Sequence, residues 1–280
     1  MNNPYLQQFK EQQLRACQLK QLSILEEIDR ICRKHDIGYW LDGGTLLGAV
    51  RHNGFIPWDD DIDIAMPRKD YELLMAHAKD WLPEQYEVVS YETDPENYPL
   101  PFAKLQDAHT TLIEREHLRY VGGVYLDIFP LDGITGNKLM QRLHFMKYQW
   151  YKKAQYFVHR DPYRHGHGVS SWIPLLCRKL YNMQEIQRKM KKMQKMYDFD
   201  NSDLIVDHDD GAKGIMLKSV IGEPKLVEFE GHQLYGVADA HTYLSNKYGD
   251  YMEIPKENRQ RQHNFHYLDF DKSYKTFLHT

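Results

Sequence analysis

Cysteine is almost missing from this chain: three residues in 280, Cys17, Cys32 and Cys177, with no C-x-x-C pair among them. An odd, scattered set argues against a disulfide framework and against a structural zinc site, and leaves reduced, packed thiols. No run approaches the roughly 18 consecutive apolar residues of a membrane span. The opening MNNPYLQQFKEQQLR also lacks the apolar segment of a secretion signal. These absences predict a soluble intracellular protein, placed in the cytoplasm. A basic excess is lacking too, since 36 Lys and Arg against 40 Asp and Glu give a net charge of -4. Without a global positive field, nucleic acid is not an expected partner. Internal repeats and low-complexity tracts are absent as well.

What the chain does have is 42% hydrophobic residues, enough for a sizeable core. Leu14, Cys17, Leu22, Leu25, Ile28 and Ile31 follow helical spacing, which predicts a long amphipathic helix over 12–35, ended by Gly38. YWLDGGTLLGAV then predicts a short strand (39–41), a Gly-Gly turn and a helix with Thr45 as its cap. DIDIAM alternates with period two, as a strand does, and RKDYELLMAHAKDWL returns to helical spacing. Four more strands are predicted at 86–92, 102–107, 110–116 and 123–131, making an α/β (α+β) fold with a mixed sheet. Residues 137–197 read as mainly helical apart from a loop at 159–168; a hairpin (226–237) and a helix (239–248) follow. The chain thus divides into a core at 1–135, a helical region at 136–200 and a C-terminal α/β region at 201–280 that completes a substrate cleft.

The densest chemistry lies in GFIPWDDDIDIAMPRKDYELL, where Asp59, Asp60, Asp61 and Asp63 fall within five positions. On a strand, residues two apart share a face, so Asp61 and Asp63 project together while Ile62 and Ile64 turn into the core. Paired carboxylates repel, and a divalent cation lets both stay ionised; Mg²⁺ or Mn²⁺ prefers such oxygen donors. Asp127, in the apolar VYLDIFPL, is a third acid on a predicted buried strand and needs a partner of its own. The same three acids also fit a solvated strand edge, and Asp59 and Asp60 fit an ordinary turn. Gly43 and Gly44, followed by a helix N-terminus, outline a phosphate cradle as well as a plain tight turn. Arg51 at the end of that helix offers a bidentate guanidinium to a phosphate, or a surface cation.

Taken together, YWLDGGTLLGAVRHNGFIPWDDDIDIAMPRKDYELL resembles the LicD family of phosphocholine transferases, whose core belongs to the nucleotidyltransferase superfamily. The match extends through FEGHQLYG and YLSNKYGDYMEIP, with 137–200 the least recognisable part. Fukutin-type phosphoribitol transferases are similar too. The resemblance implies a nucleotidyltransferase-like sheet flanked by helices, with a helical insertion. It also implies metal-dependent transfer of phosphocholine from CDP-choline to a sugar hydroxyl of a teichoic acid or lipopolysaccharide precursor. On that basis Asp61, Asp63 and Asp127 are the catalytic and metal-binding residues, with Asp127 also taking the acceptor's proton. Gly43, Gly44, Thr45, Arg51, Lys104, Arg261 and His263 are the residues expected at the phosphates, although Lys104 fits an exposed strand lysine as well, and Arg261 and His263 a surface tail. Another CDP-linked phospho-alcohol, nucleotidyl transfer from an NTP, and sugar transfer by a D-x-D glycosyltransferase remain as alternatives. Trp40, Trp58 and Tyr125 lie near the site in sequence and could face choline's ammonium, but such aromatics more often belong to the core, and none is assigned to a choline cage. The helical stretch 178–197, with Leu180, Met183, Met190, Met193 and Tyr197 opposite a basic face, fits either ordinary packing or peripheral contact with an anionic membrane carrying a lipid-linked acceptor.

Overall fold

The computed structural model describes residues 4–95, 98–114, 120–164, 166–256, 259–260 and 265–277, with backbone only for 4–10. Helix α1 (Pro4–His35) buries Cys17, Leu22, Leu25, Ile28 and Ile31, the stripe its periodicity predicts, beneath a mixed sheet. After it come strand β1 (Trp40–Leu41), helix α2 (Gly43–His52), strand β2 (Asp63–Pro67) and helix α3 (Arg68–Trp81). Strands β3 (Tyr86–Val89), β4 (Ala103–Ile113) and β5 (Gly122–Ile134) complete the part of the sheet that the alternation predicts.

Two predicted strands, 102–107 and 110–116, are one strand, β4. Its register slips between Asp107 and Leu112, a bulge that breaks the period-two alternation and so reads as a gap. Strand β5 is the centre of the molecule. All thirteen of its residues are buried, and it pairs in parallel with β2 and antiparallel with β4.

Helices α4 (Lys138–His159), α5 (Trp172–Leu180) and α6 (Met183–Gln194) occupy the stretch predicted as helical. The break at 181–182 divides the single helix expected over 178–197. Ile186, Met190 and Met193 of α6 pack with Tyr148 and Ala154 of α4, so the packing reading of that stretch holds. Strands β6 (Leu204–Asp207) and β7 (Ile215–Leu217), absent from the sequence reading, bring the chain back to the same sheet, with Asp207 opposite Leu131 of β5. A short helix α7 (Lys218–Ile221) leads to the hairpin β8 (Lys225–Phe229) and β9 (His232–Gly236), and then to helix α8 (Ala240–Tyr248), which Asp239 caps through the Thr242 N–H. A last strand, β10 (Tyr267–Asp269), pairs with β4. Among the described residues no helix is long and apolar enough to cross a membrane.

Candidate active site

The parallel register of β2 and β5 sets Asp63 directly beside Asp127, and the antiparallel register of β5 and β4 sets Lys104 on Asp127's other side. Three charged side chains therefore form one row across three neighbouring strands. Alternation puts Tyr125, Asp127 and Phe129 on the same face of β5, and all three line a cavity of about 450 Å³. Asp61, Asp63, Lys104 and Gly43 line the same cavity. Strand β2 starts at Asp63, so Asp61 stands in the segment before it rather than on the strand. The Asp127 N–H still donates to Ile62 O at 2.8 Å, carrying the parallel ladder one residue further. From α1, the Gln18 and Gln21 amides donate to the carbonyls of Asp59 and Asp60, which pins the acidic segment from behind. One carboxylate oxygen each of Asp59, Asp60 and Asp61 falls within 4.8 Å of the others.

At its Asp63 end this row is bounded by elements far away in sequence. Asp42 precedes α2, and its Oδ1 accepts a hydrogen bond from the Tyr243 hydroxyl of α8. That hydroxyl in turn accepts the Gly43 N–H at 3.2 Å. The Lys247 ammonium, one turn further along α8, lies 2.8 Å from Asp210 and 3.5 Å from Asp42. Gly43 has φ +50°, and a Cβ there would stand 3.2 Å from an Asp63 oxygen and 3.6 Å from the Lys247 ammonium. The positive φ favours glycine here, and a Cβ would crowd the Asp63 carboxylate.

Crowded like charges in a sheltered site move their own titration. Burial, reinforced by Asp61, Asp127 and Asp42, pushes the Asp63 carboxyl well above the usual carboxylate range, and Lys247 only partly opposes this. Burial likewise lifts Asp127 to about 7: Lys104 pulls it down while Glu114 and Asp61 push it up. Asp207 is raised by burial and by Asp209, Asp210 and Asp42. Lys104 is only 2% exposed; burial alone would lower its ammonium, but Asp127 at 2.8 Å and Glu114 at 3.1 Å hold it above its ordinary value. The same ammonium sits 3.1 Å from the centroid of the Tyr125 ring. Carboxylates that resist ionising together, with oxygen as the only donor, are the donor set a hard divalent cation fits.

The structure thus gathers Asp61, Asp63, Asp127, Gly43 and Lys104 in one place. Gly44 lies just behind, where a Cβ would come within 2.8 Å of Asp59. Thr45 is not the cap of α2. It lies inside the helix, with Asp42 in the cap position, and its hydroxyl accepts the Asp63 N–H at 2.8 Å. Arg51 is at the far end of α2, where its guanidinium donates to the Tyr251 carbonyl at 2.6 Å and holds the loop after α8. Arg261 and His263 lie outside the described residues. Trp40 is core, Trp58 packs edge-on to His52, and of the three named aromatics only Tyr125 is in the cavity wall.

Sequence reasoning missed Asp42, Glu114, Asp207, Lys152 and Lys247, which line the cavity as well. One signal was present: LIVDHDD repeats the pattern of IDIAM and VYLDIFPL, an apolar strand that delivers an acid.

Comparison with known proteins gives a consistent picture. Residues 36–175 match the family model described as LicD/FKTN/FKRP, nucleotidyltransferase domain. The chain is 29% identical over 273 residues to the lipopolysaccharide cholinephosphotransferase LicD of Haemophilus influenzae, covering 91% of this chain and 97% of that protein. A 34-residue segment, 12% of this chain and 7% of the relative, is 53% identical to the human ribitol 5-phosphate transferase FKRP.

Proposed function

The chain belongs to the LicD/FKTN/FKRP nucleotidyltransferase-domain family and is a phosphotransferase, and from that premise we propose that it moves phosphocholine from CDP-choline to a sugar hydroxyl of a cell-surface glycan precursor. The observation that carries this reading is the row Asp63, Asp127, Lys104 in strand register, which lines one cavity together with the Gly43 turn beside Asp63. Asp61, Asp63 and Asp127 would hold Mg²⁺ or Mn²⁺, which when bound neutralises the charge of the donor's pyrophosphate.

The chain's own groups supply the rest. Lys247, at the mouth of the α2 N-terminus, is the cation placed to meet pyrophosphate oxygens, and the Gly43 backbone lets them come close. Asp127 is placed to accept the acceptor hydroxyl's proton, and Lys104, donating to its Oδ1 at 2.8 Å, fixes its orientation. The leaving group is CMP. Eight acids line the cavity against three lysines, an excess that favours a donor whose alcohol is itself cationic. Phe102 and Phe129, ring centroids 4.4 Å apart, add an apolar wall suited to trimethylammonium.

The short, close likeness to a ribitol 5-phosphate transferase supports a second reading, transfer of another CDP-linked phospho-alcohol. Mass spectrometry of reactions with CDP-choline, CDP-ethanolamine, CDP-ribitol or NTPs, each with lipid-linked glycan precursors, separates the readings. A phosphocholine adduct with CMP release is expected. Pyrophosphate release, or a ribitol phosphate adduct alone, would overturn it.

A further inference from the structure

Helix α4 has two apolar faces. One buries Phe145, Tyr148 and Ala154 in the protein; the other carries Leu139, Leu143, Met146 and Trp150 at helical spacing into solvent, with Met146 65% and Trp150 61% exposed. Helix α5 is more extreme. Of its nine residues only Pro174 is buried, while Trp172, Ile173 and Leu176 are exposed, Trp172 at 65%. The two faces adjoin, since the Trp150 indole donates to the Tyr181 hydroxyl just past the end of α5. Among the described residues nothing covers this apolar surface, and its extent marks a contact with something else.

Charge identifies the occupant. Residues 136–182 hold nine Lys and Arg and a single acid, Asp161, in a chain whose net charge is -4. Lys138, Arg142, Lys147, Lys153, Arg164 and Lys179 are all exposed around the apolar faces. Exposed tryptophans and leucines ringed by cations are the composition of a helix lying in the headgroup layer of an anionic bilayer. A second copy is a poor occupant, because a two-fold contact would set the basic ring of one protomer against that of the other.

We propose that the outer faces of α4 and α5 dock the protein on an anionic lipid surface, with Trp150, Trp172, Ile173 and Leu176 inserted and the surrounding cations at the phosphates. This differs from the contact expected of the 178–197 stretch, because α6 turns its apolar positions inward. Lys152, two residues beyond Trp150 and so on the opposite side of α4, lines the catalytic cavity, which leaves the thickness of one helix between the cavity and the docked face. The docking itself is independent of the transfer chemistry, and its test involves no turnover.

The full chain is floated with vesicles of phosphatidylcholine alone or mixed with phosphatidylglycerol, at low and high salt. Co-flotation with the anionic vesicles is expected, weakened several-fold by salt and by Arg142→Glu with Lys147→Glu. Trp172→Glu with Leu176→Glu should reduce it roughly tenfold or more. All four side chains are exposed, so circular dichroism should be unchanged. Failure of the folded wild type to float with anionic vesicles overturns the proposal, as does equal flotation of both variants. A wild-type dimer by light scattering that Trp172→Glu splits into monomers would assign the face to a second copy and overturn it too.

Discussion

Asp63 is held where it is least comfortable. Its neighbours Asp61, Asp127 and Asp42 keep its carboxyl from ionising freely, and the backbone of Gly43 closes the space on the remaining side. A residue kept under such repulsion serves function at the expense of the fold. Asp63→Asn should therefore cut phosphoryl transfer by roughly 100-fold or more while leaving the thermal midpoint without Mg²⁺ equal to or above that of the wild type. Added Mg²⁺ should raise the wild-type midpoint and not the variant's, because a ligand of the native state stabilises only a protein able to bind it. Scanning calorimetry with and without the cation checks both. The acids at this scale were readable because each interrupts an apolar strand. Lys247 was not, because nothing in YLSNKYGDYM shows that α8 returns to Asp42.

Between elements, the junction of β2 and α3 is tied to the end of β5 by a buried pair. Arg68, the first residue of α3, donates from Nε and Nη2 to the two oxygens of Asp132, both at 2.7 Å. Burial alone would raise the Asp132 carboxyl, but the Arg68 guanidinium holds it below its ordinary range. A carboxyl depressed in the folded state adds stability above its unfolded value, about pH 4, and loses that contribution as pH falls through the folded value. Arg68→Met leaves Asp132 buried with only the His208 ring, Nδ1 at 3.4 Å, beside it, which should cost about 3–5 kcal/mol near neutrality. In the variant burial holds the Asp132 carboxyl above its unfolded value, so protonation relieves it and the deficit against the wild type should already narrow as pH falls toward about pH 4, and narrow further below it. Denaturant titrations at pH 7 and pH 3.5 or so measure that narrowing. Helices and strands with a clean period, α1, α3 and β2, were legible in the sequence. The merging of two strands into β4 was not, because the bulge at 107–112 erases the alternation.

At the scale of the whole molecule, the sequence reading recovered an α/β sheet flanked by helices but not how the chain returns to it. β6, β7 and β10 contribute four, three and three residues, too few for periodicity to register, yet each extends the sheet, and β6 brings Asp207 to the cavity. The outer surface of α4 and α5 was equally hidden, since an amphipathic pattern does not say which face is covered.

Strand β5, sealed along its whole length, gives the catalytic row a particular place in time as well as in space. Amide exchange slows with the cooperativity of the unit that must open, so the β5 amides around Asp127 should be among the last in the protein to take up deuterium. Helix α8 buries only Tyr243 and Leu244 and should exchange far sooner. Half of the site thus rests on a nearly permanent scaffold and half on a helix that comes and goes. Each opening of α8 carries Lys247 and the Tyr243 hydroxyl away from Asp42. Warming should consequently silence catalysis several degrees before the sheet melts, and the lost activity should return on cooling without refolding of the core.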